Sequence, residues 1–215
     1  MSKVIILGAN PFSIINFRGD LIRLINKNHV VVVASNKPSK ELAIFFKKNN
    51  WNYANVLIKN NGLNPLFDLI SLIDIYMLFK KHDPDKILSY TIKPVIWSGL
   101  VSNFYKFEPY FLITGLGFAF QGESIKRRLL TKLIVFLYRM ALKNSKAVIF
   151  QNIDNRDVFI DKGIIPKAKA HIVNGSGVDT EKFNVENLPR GDIKFLCISR
   201  LLGEKGLREY AEAAK

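Results

Sequence analysis

Near its N-terminus the chain reads Val4-Ile5-Ile6-Leu7-Gly8, four consecutive apolar residues that run into a glycine. The run is too short for the apolar core of a signal peptide and predicts a first β-strand that ends in a turn. Because the apolar positions do not alternate with polar ones, the pattern is typical of a parallel strand covered on both faces.

Similar apolar runs recur along the chain and alternate with longer segments of helical period. The predicted strands are Val4–Leu7, Val30–Ala34, Ala54–Ile58, Lys86–Tyr90, Tyr110–Thr114, Ala147–Gln151 and Ile172–Asn174. The predicted helices are Phe17–Asn26, Ser39–Lys48, Pro65–Lys80, Pro94–Tyr105, Lys126–Lys143 and Asp154–Lys162. This alternation indicates right-handed crossovers, so we predict an α/β fold with a Rossmann-like, doubly wound parallel sheet.

The composition fits one well-packed α/β core. The 215 residues are 48% hydrophobic and include 16 Phe, which excludes disordered and fibrous classes. The single cysteine, Cys197, excludes a disulfide framework, and its apolar neighbours predict a buried thiol in a reducing compartment. The three histidines have no metal-ligand spacing. We therefore expect no metal and no other cofactor.

The alternation of apolar runs and helical segments is interrupted near the C-terminal end of the sequence. Residues 180–192 are polar and predict a linker. The apolar run Ile193–Ser199 and a helical segment from about Gly206 predict the first strand and helix of another α/β domain. We expect a Rossmann-like domain at 1–179 and the start of a second at 193–215, which is incomplete because one strand and one helix cannot bury a sheet face.

A cationic loop lies between that predicted strand and helix. Arg200 ends the apolar run and Lys205 follows five residues later. Ligand phosphates bind beyond the carboxyl ends of parallel strands, where helix N-termini offer N–H groups and basic side chains add charge. The spacing permits a phosphate site but does not by itself favour one. A solvated loop with ordinary surface charges is the alternative on spacing alone.

Two C-terminal stretches carry a resemblance to a known family. The sequence Arg200-Leu-x-x-x-Lys205-Gly206 resembles the donor-phosphate motif of the retaining GT-B glycosyltransferases of family 4. Residues 173–183, Val-Asn-Gly-Ser-Gly-Val-Asp-Thr-Glu-Lys-Phe, are similar to the family's interdomain segment. The resemblance implies that Arg200 and Lys205 bind the diphosphate of a nucleotide sugar. The family's acidic E-x7-E donor signature is absent, so these 215 residues alone are expected to be inactive.

The N-terminal motifs are similar to one branch of that family, the transferases of bacterial lipid-linked oligosaccharides, capsule and lipopolysaccharide O-antigen. They are Asn16-Phe17-Arg18, Leu63-Asn64-Pro65, Thr91-Ile92-Lys93-Pro94 with Gly99, and Ile113-Thr114-Gly115-Leu116-Gly117. The branch implies hexosyl transfer to a lipid-linked or polysaccharide acceptor, bound by the first domain. The implied acceptor-side candidates are Asn16, Arg18, Thr91, Lys93, Thr114, Gly115 and Gly117.

Gly8 stands where the family has a glycine-rich turn that faces the donor phosphates. It is a candidate phosphate contact by resemblance, although a tight turn at a strand end requires glycine in either case. The sequence nominates no catalytic base. In this family the chemistry rests on positioning and on stabilisation of the leaving phosphate.

A net charge of +14 favours polyanionic partners. Residues 126–146 carry seven basic and no acidic residues among apolar ones at helical spacing, which predicts a helix in an anionic membrane interface. The alternative is a core helix with a solvated basic face. The proposed membrane contacts are Lys126, Arg127, Arg128, Lys132 and Arg139. Since no run of 18 apolar residues lacks charge, we expect a cytoplasmic protein, peripheral at the inner face of the plasma membrane.

Two other functions stay open at this stage. The chain could be a non-catalytic subunit that binds acceptor and membrane and is completed in trans by a donor domain. It could also bind nucleic acid, but the charge is accompanied by no nucleic-acid-binding motif, so nucleic acid is not an expected partner.

Overall fold

The computed structural model describes residues 1–59, 64–117, 120, 124–187, 190–199, 201 and 205–214. The chain divides into two compact units. Unit 1 is Met1–Gly177, and unit 2 is Val178–Lys215.

Unit 1 alternates strands and helices and confirms the predicted α/β class. Its strands are β1 (Lys3–Leu7), β2 (Val30–Ser35), β3 (Asn52–Asn55), β4 (Lys86–Tyr90), β5 (Glu108–Ile113), β6 (Ala147–Phe150) and β7 (Ala170–Ile172). Its helices are α1 (Pro11–Asn26), α2 (Lys40–Lys48), α3 (Pro65–His82), α4 (Ile92–Ser102), α5 (Ile125–Leu142) and α6 (Ile153–Asp161). Every strand pair is parallel, and the order is β3-β2-β1-β4-β5-β6-β7, a doubly wound Rossmann-like sheet.

The position of β1 inside the sheet explains why its residues from Val4 to Leu7 are all apolar. Ile5 pairs with Val32 of β2 on one side and with Ile87 of β4 on the other. Successive side chains point to opposite faces, so Ile5 enters the larger core and Ile6 the smaller one. Both side chains are fully buried.

The helices are divided between the two faces by the direction of the crossovers. Helices α1 and α2 pack against the smaller core through Ile14, Ile22 and Phe46. Helices α3 to α6 contribute Phe79, Tyr138 and other residues to the larger core on the opposite face. The chain changes face where β1 and β4 lie side by side, so the loops that follow these two strands lead to helices on opposite faces.

The first helix begins at Pro11, not at the predicted Phe17. The Asn10 side chain accepts a hydrogen bond from the Phe12 N–H (2.9 Å), and proline occupies the first helical position. Both are helix-start signals that the prediction had left outside the helix. As a result, the segment from Asn16 to Arg18 lies inside α1.

Two strands lie two or three residues closer to the N-terminus than predicted. Strand β3 is Asn52–Asn55 instead of Ala54–Ile58, and β7 is Ala170–Ile172 instead of Ile172–Asn174. Beyond β3, the Ile58 backbone is bonded to the Asn36 side chain, whose Oδ1 accepts from its N–H and whose Nδ2 donates to its carbonyl. This side-chain pairing takes the place of ladder bonds, so Ile58 is buried without belonging to the strand.

In unit 2 the predicted strand Ile193–Ser199 is not formed, although the helix is present as α7 (Leu207–Ala213). A strand is held by ladder bonds to neighbouring strands, and the described residues of unit 2 supply none. Cys197 is exposed, so the predicted buried thiol is also wrong. The segment is tethered to α7 by the Tyr210 hydroxyl, which donates to the Phe195 carbonyl (2.9 Å).

Candidate functional site

The candidate site lies at the carboxyl ends of β1 and β4. These strands are neighbours in the sheet, but their loops lead to α1 and α4 on opposite faces. In an open α/β sheet such a switch point leaves a crevice where ligands bind.

Gly8 is the residue directly after β1, and its backbone lies against a tyrosine ring. Its N–H donates to the Ala34 carbonyl (3.0 Å). A Cβ placed on Gly8 would approach the ring of Tyr90, the last residue of β4, to 2.4 Å. Close packing of the two strand ends therefore requires glycine here.

Tyr90 is buried between the first and fourth strand ends, with 2% of its surface exposed. Its hydroxyl and the Ser13 hydroxyl are hydrogen-bonded at 3.0 Å. Burial raises the pKa of Tyr90 to about 12, while the Ser13 hydrogen bond and the Arg18 charge oppose that shift. The phenol is therefore neutral at physiological pH.

The guanidinium of Arg18 lies over this ring, with Cζ 5.1 Å from the ring centroid. Arg18 is only 6% exposed. Its Nη1 donates to the Phe17 carbonyl (2.8 Å) and to the Ser176 hydroxyl (2.9 Å), both neutral oxygens. Its Nε is buried without a hydrogen-bond partner. Burial lowers the pKa of Arg18, because desolvation disfavours the charged form.

Residues 173–177 bring Ser176 to α1. This segment leaves β7 with the Val173 N–H bonded to the Phe150 carbonyl (2.9 Å). Gln151, which follows β6, donates from Nε2 to the Ser176 hydroxyl (3.3 Å). The end of unit 1 is thus attached both to the edge of β6 and to Arg18 across the sheet.

Thr91 links Tyr90 to α4 in a conformation that side chains rarely adopt. Its φ and ψ are 67° and 160°, a region that is essentially restricted to glycine. It is the N-cap of α4 but makes no side-chain capping bond. Such strain, at a switch point, is typical of ligand sites.

Lys93 is held by an ion pair away from solvent. Its Nζ donates to Asp68 Oδ1 of α3 at 2.7 Å, and the side chains keep only 14% and 12% of their exposure. This pair joins α3 to α4. The acceptor-side role predicted for Lys93 therefore competes with a structural one.

The motif after β5 divides into residues with different surroundings. Thr114 is exposed, and a Cβ placed on Gly115 would meet nothing within 4 Å. Gly117 has a φ of 72°, and its Cβ would come within 2.4 Å of the Ile92 Cδ1 at the start of α4. The positive φ of Gly117 favours glycine at this position, while Gly115 leaves open space.

The structure brings Gly8 and Arg18 together around Tyr90, with Thr91 next in sequence. Asn16 is exposed on α1, two residues from Arg18, and helical geometry turns such neighbours to different sides. Arg200 lies outside the described residues, and Lys205 is an exposed residue of unit 2.

Three residues of this arrangement, Tyr90, Ser13 and Ser176, were not predicted from the sequence. Tyr90 and Ser176 each had a signal that could have identified them. Tyr90 ends the strand that a Rossmann order places beside β1, and Ser176 lies inside the interdomain segment already noted for its resemblance.

Helices α3 and α5 both contact α4, and both have exposed apolar residues on their outer sides. On α5 the exposed apolar residues are Ile125, Leu129, Leu133, Phe136 and Met140. On α3, where no exposed apolar side was predicted, they are Leu66, Phe67, Leu69, Ile70, Ile73, Tyr76 and Met77. The two acidic residues of α3 are bonded elsewhere, Asp68 to Lys93 and Asp74 to the Leu57 N–H.

The basic residues predicted on α5 differ in their contacts. Lys126, Arg128 and Lys132 are exposed, and Arg127 is partly buried. Arg139 donates from Nε to the Gly163 carbonyl (3.0 Å) and from Nη2 to the Lys162 carbonyl, so it ties α5 to the end of α6. No helix among the described residues is long and apolar enough to cross a bilayer.

Comparison with protein families gives a match over most of unit 1. Residues 9–152 match the family model described as glycosyl transferase 4-like. This range runs from the β1 turn to just beyond β6 and includes Ser13, Arg18, Tyr90 and Thr91, whereas Gly8 and Ser176 lie outside it. Among curated proteins, none matches the sequence.

Solved structures share the fold at low identity. MurG from Acinetobacter baumannii has a TM-score of 0.54 at 10% identity, covering 85% of this chain and 47% of its own. UDP-GlcNAc 2-epimerase from Neisseria meningitidis, bound to UDP-GlcNAc, has 0.55 at 13%, covering 79% and 46%. HepE from Anabaena, in complex with UDP and glucose, has 0.56 at 13%, covering 84% and 46%. The fold is thus the Rossmann-like fold of GT-B proteins, and the chain spans about half the length of these structures.

Proposed function

This chain belongs to the glycosyl transferase 4-like family, and we propose that unit 1 is the acceptor-side domain of a retaining hexosyltransferase. The observation that carries the proposal is the family match over residues 9–152, which contains helix α1 after β1 and the end of β4. The buried Arg18 and the strained Thr91 in these segments support a ligand site there.

The donor is proposed to be a nucleotide sugar whose diphosphate is bound by Arg200 and Lys205. UDP is the nucleotide to test first, because the epimerase and HepE structures contain UDP-GlcNAc and UDP. The expected chemistry is positioning and stabilisation of the leaving phosphate by basic groups, without a metal ion. An unchanged initial rate in excess EDTA would support this, and a lost rate restored by Mg²⁺ would refute it.

The acceptor is proposed to be a lipid-linked or polysaccharide sugar of bacterial surface-polysaccharide synthesis. The test is transfer of radiolabelled sugar from a panel of UDP-sugars to lipids extracted from bacterial membranes. Protein that contains residues 1–215 together with a donor domain should label the lipid fraction, and Arg200→Ala or Lys205→Ala should each lower the rate at least about tenfold. Normal rates in both variants would contradict the donor assignment.

We propose that residues 1–215 alone do not transfer sugar, since they span only about half the length of the matching structures. The same partial coverage of the matching structures supports a second candidate function. In it, the chain is an acceptor-binding subunit that a separate donor domain completes in trans. Adding a separately expressed donor domain should then restore transfer. Transfer by residues 1–215 without addition would overturn both statements.

We propose that the outer surface of α3 and α5 rests on an anionic membrane and places the protein at the inner face of the plasma membrane. Its support is the combination of exposed apolar side chains with the exposed cations Lys126, Arg128 and Lys132. Each cation near an anionic leaflet contributes about 1 kcal/mol, and apolar side chains add to this by burial in the interface.

The membrane test is co-sedimentation with phosphatidylglycerol vesicles. Lys126→Glu/Arg128→Glu/Lys132→Glu should abolish binding, and Leu69→Gln/Ile73→Gln on α3 should weaken it. The matched control, Lys40→Glu/Lys47→Glu/Lys48→Glu, makes the same charge change on α2 at the other face and should bind like wild type. Equal binding by all four proteins would remove the proposed surface.

A further inference from the structure

Arg18 is a buried cation that the described residues do not neutralise. With 6% of its surface exposed it is nearly withdrawn from water. Among the described residues, the ion pairs join other groups and no carboxylate meets its guanidinium. Its hydrogen bonds go to a carbonyl and a hydroxyl, neither of which carries a charge.

The unused side of the guanidinium is the side that binds anions best. Nη1 makes both hydrogen bonds, whereas Nε is buried and has no partner. The Nε–Nη2 edge of arginine presents two parallel N–H groups that match two oxygens of one anion. Burial of a charged group without a counter-ion is unfavourable, so the folded protein gains most from a ligand that supplies one.

The position of the guanidinium selects the class of anion. It lies over Tyr90, at the carboxyl ends of β1 and β4, where the sheet changes winding direction. The neighbouring phenol is neutral and bonded to Ser13, so it is not the missing anion. Switch-point crevices of open α/β sheets are the places where phosphate-bearing ligands bind.

We propose that Arg18 is the anchor of a phosphate-binding site in unit 1, which holds a phosphate or diphosphate ester through its Nε–Nη2 edge once a shift of the side chain uncovers the buried Nε. The inference rests on the proposed function only for the source of the phosphate, which is either the lipid-linked acceptor or the nucleotide sugar. The binding itself follows from the uncompensated charge.

The test is thermal unfolding of the whole chain with inorganic pyrophosphate. At about ten times the dissociation constant, wild type should unfold about 3 °C higher than without it. Arg18→Met should lose this shift and, without ligand, unfold at the same or a higher temperature, because an apolar side chain of similar length replaces an unpaired charge. Arg23→Met, an exposed arginine of the same helix, should keep the full shift.

A purely structural role for Arg18 predicts different results. If Arg18 serves only to stabilise the fold through its hydrogen bond to Ser176, Arg18→Met and Ser176→Ala should both lower the unfolding temperature of the ligand-free chain. Pyrophosphate should then shift Arg18→Met as much as wild type. Either result overturns the proposal, and so does failure of Arg18→Met to fold or a wild type that no phosphate probe stabilises.

Two further probes separate the sources of the phosphate. Stabilisation by farnesyl diphosphate but not by UDP assigns the site to the acceptor, and the reverse assigns it to the donor. Arg18-dependent pyrophosphate binding in a protein that also contains a donor domain but transfers no sugar would uphold this site while refuting the proposed function. Transfer that is unaffected by Arg18→Met would do the opposite.

Discussion

Unit 1 contains two largely buried cations, Lys93 and Arg18, with opposite surroundings. Lys93 meets the carboxylate of Asp68 at 2.7 Å, and together they join α4 to α3. Arg18 meets only neutral oxygens and the face of a neutral tyrosine. Both residues came from sequence motifs as acceptor-side candidates, so the motifs alone did not separate them.

The difference between them follows from the free energy of burying charge. A charge removed from water needs an opposite charge nearby, and Lys93 has one supplied by the fold. Its contribution is therefore to stability. Arg18 is left with an unmet requirement, which a ligand can satisfy. On the proposal that Arg18 binds an anion, the presence or absence of a counter-ion in the fold distinguishes the structural cation from the binding one.

The largest expected loss of stability comes from removing the counter-ion of Lys93, which leaves Lys93 as an unpaired buried cation like Arg18. Asp68→Leu removes the carboxylate and leaves a lysine ammonium without its partner. We expect the free energy of unfolding to fall by about 3 kcal/mol, the low end for breaking a buried pair, because both side chains keep some exposure. Urea unfolding monitored by circular dichroism measures this.

The matched control removes both charges of the pair. Asp68→Leu/Lys93→Met should recover most of the lost stability, since no unpaired charge remains. If the double variant is as unstable as Asp68→Leu, the loss comes from packing, and the comparison between the two cations fails.

An intermediate effect is expected from disturbing the surface on which Arg18 lies. Gly8→Ala places a Cβ 2.4 Å from the Tyr90 ring, which must move and shift the Arg18 guanidinium with it. We expect a loss of about 2 kcal/mol in the free energy of unfolding, as for overpacking of a core. Pyrophosphate stabilisation should be reduced in the same variant.

Gly115→Ala is the control for this prediction, because a Cβ there meets nothing within 4 Å. It should change the free energy of unfolding by well under about 1 kcal/mol. If Gly8→Ala keeps wild-type stability and the wild-type pyrophosphate shift, the Tyr90 ring is packed less tightly against Gly8 than the structure indicates.

The smallest effect is on the ionisation of Tyr90. The folded-state pKa is raised from 10.0 to about 12, so the folded state favours the neutral phenol. This stabilisation is complete below pH 10 and is lost as the pH rises from there towards 12. Arg18 opposes the shift, so Arg18→Met should raise the pKa of Tyr90 further, as measured by NMR of ¹³Cζ-labelled tyrosine. If the pKa of Tyr90 is unchanged or lower in Arg18→Met, the guanidinium charge of Arg18 does not act on the Tyr90 ring.

Strand prediction succeeded or failed according to the availability of neighbours. Val4–Leu7 and Ile193–Ser199 have similar apolar sequences, and both were predicted as strands. The first lies between β2 and β4, and its ladder bonds are made on both sides. The second has no such partner among the described residues of unit 2, and its Cys197 is exposed.

The candidate site was only partly predictable for a similar reason. The motif at residues 16–18 identified Arg18, but its contact with Ser176 joins residues 158 positions apart. Its burial over Tyr90 depends on the order of strands in the sheet. The apolar outer side of α3 also escaped prediction, because a helix that is apolar nearly all round gives no periodic signal that separates a buried side from an exposed one.

The sequence by itself determined the α/β class, the alternation of elements and the residue types available at the strand ends. These follow from local properties, namely apolar periodicity and the turn preferences of glycine, proline and asparagine. Only the tertiary structure decided which apolar run became a strand, and which buried cation received a counter-ion. Ladder hydrogen bonds and ion pairs need a partner from a distant part of the chain. The local sequence does not determine whether the fold brings that partner into contact.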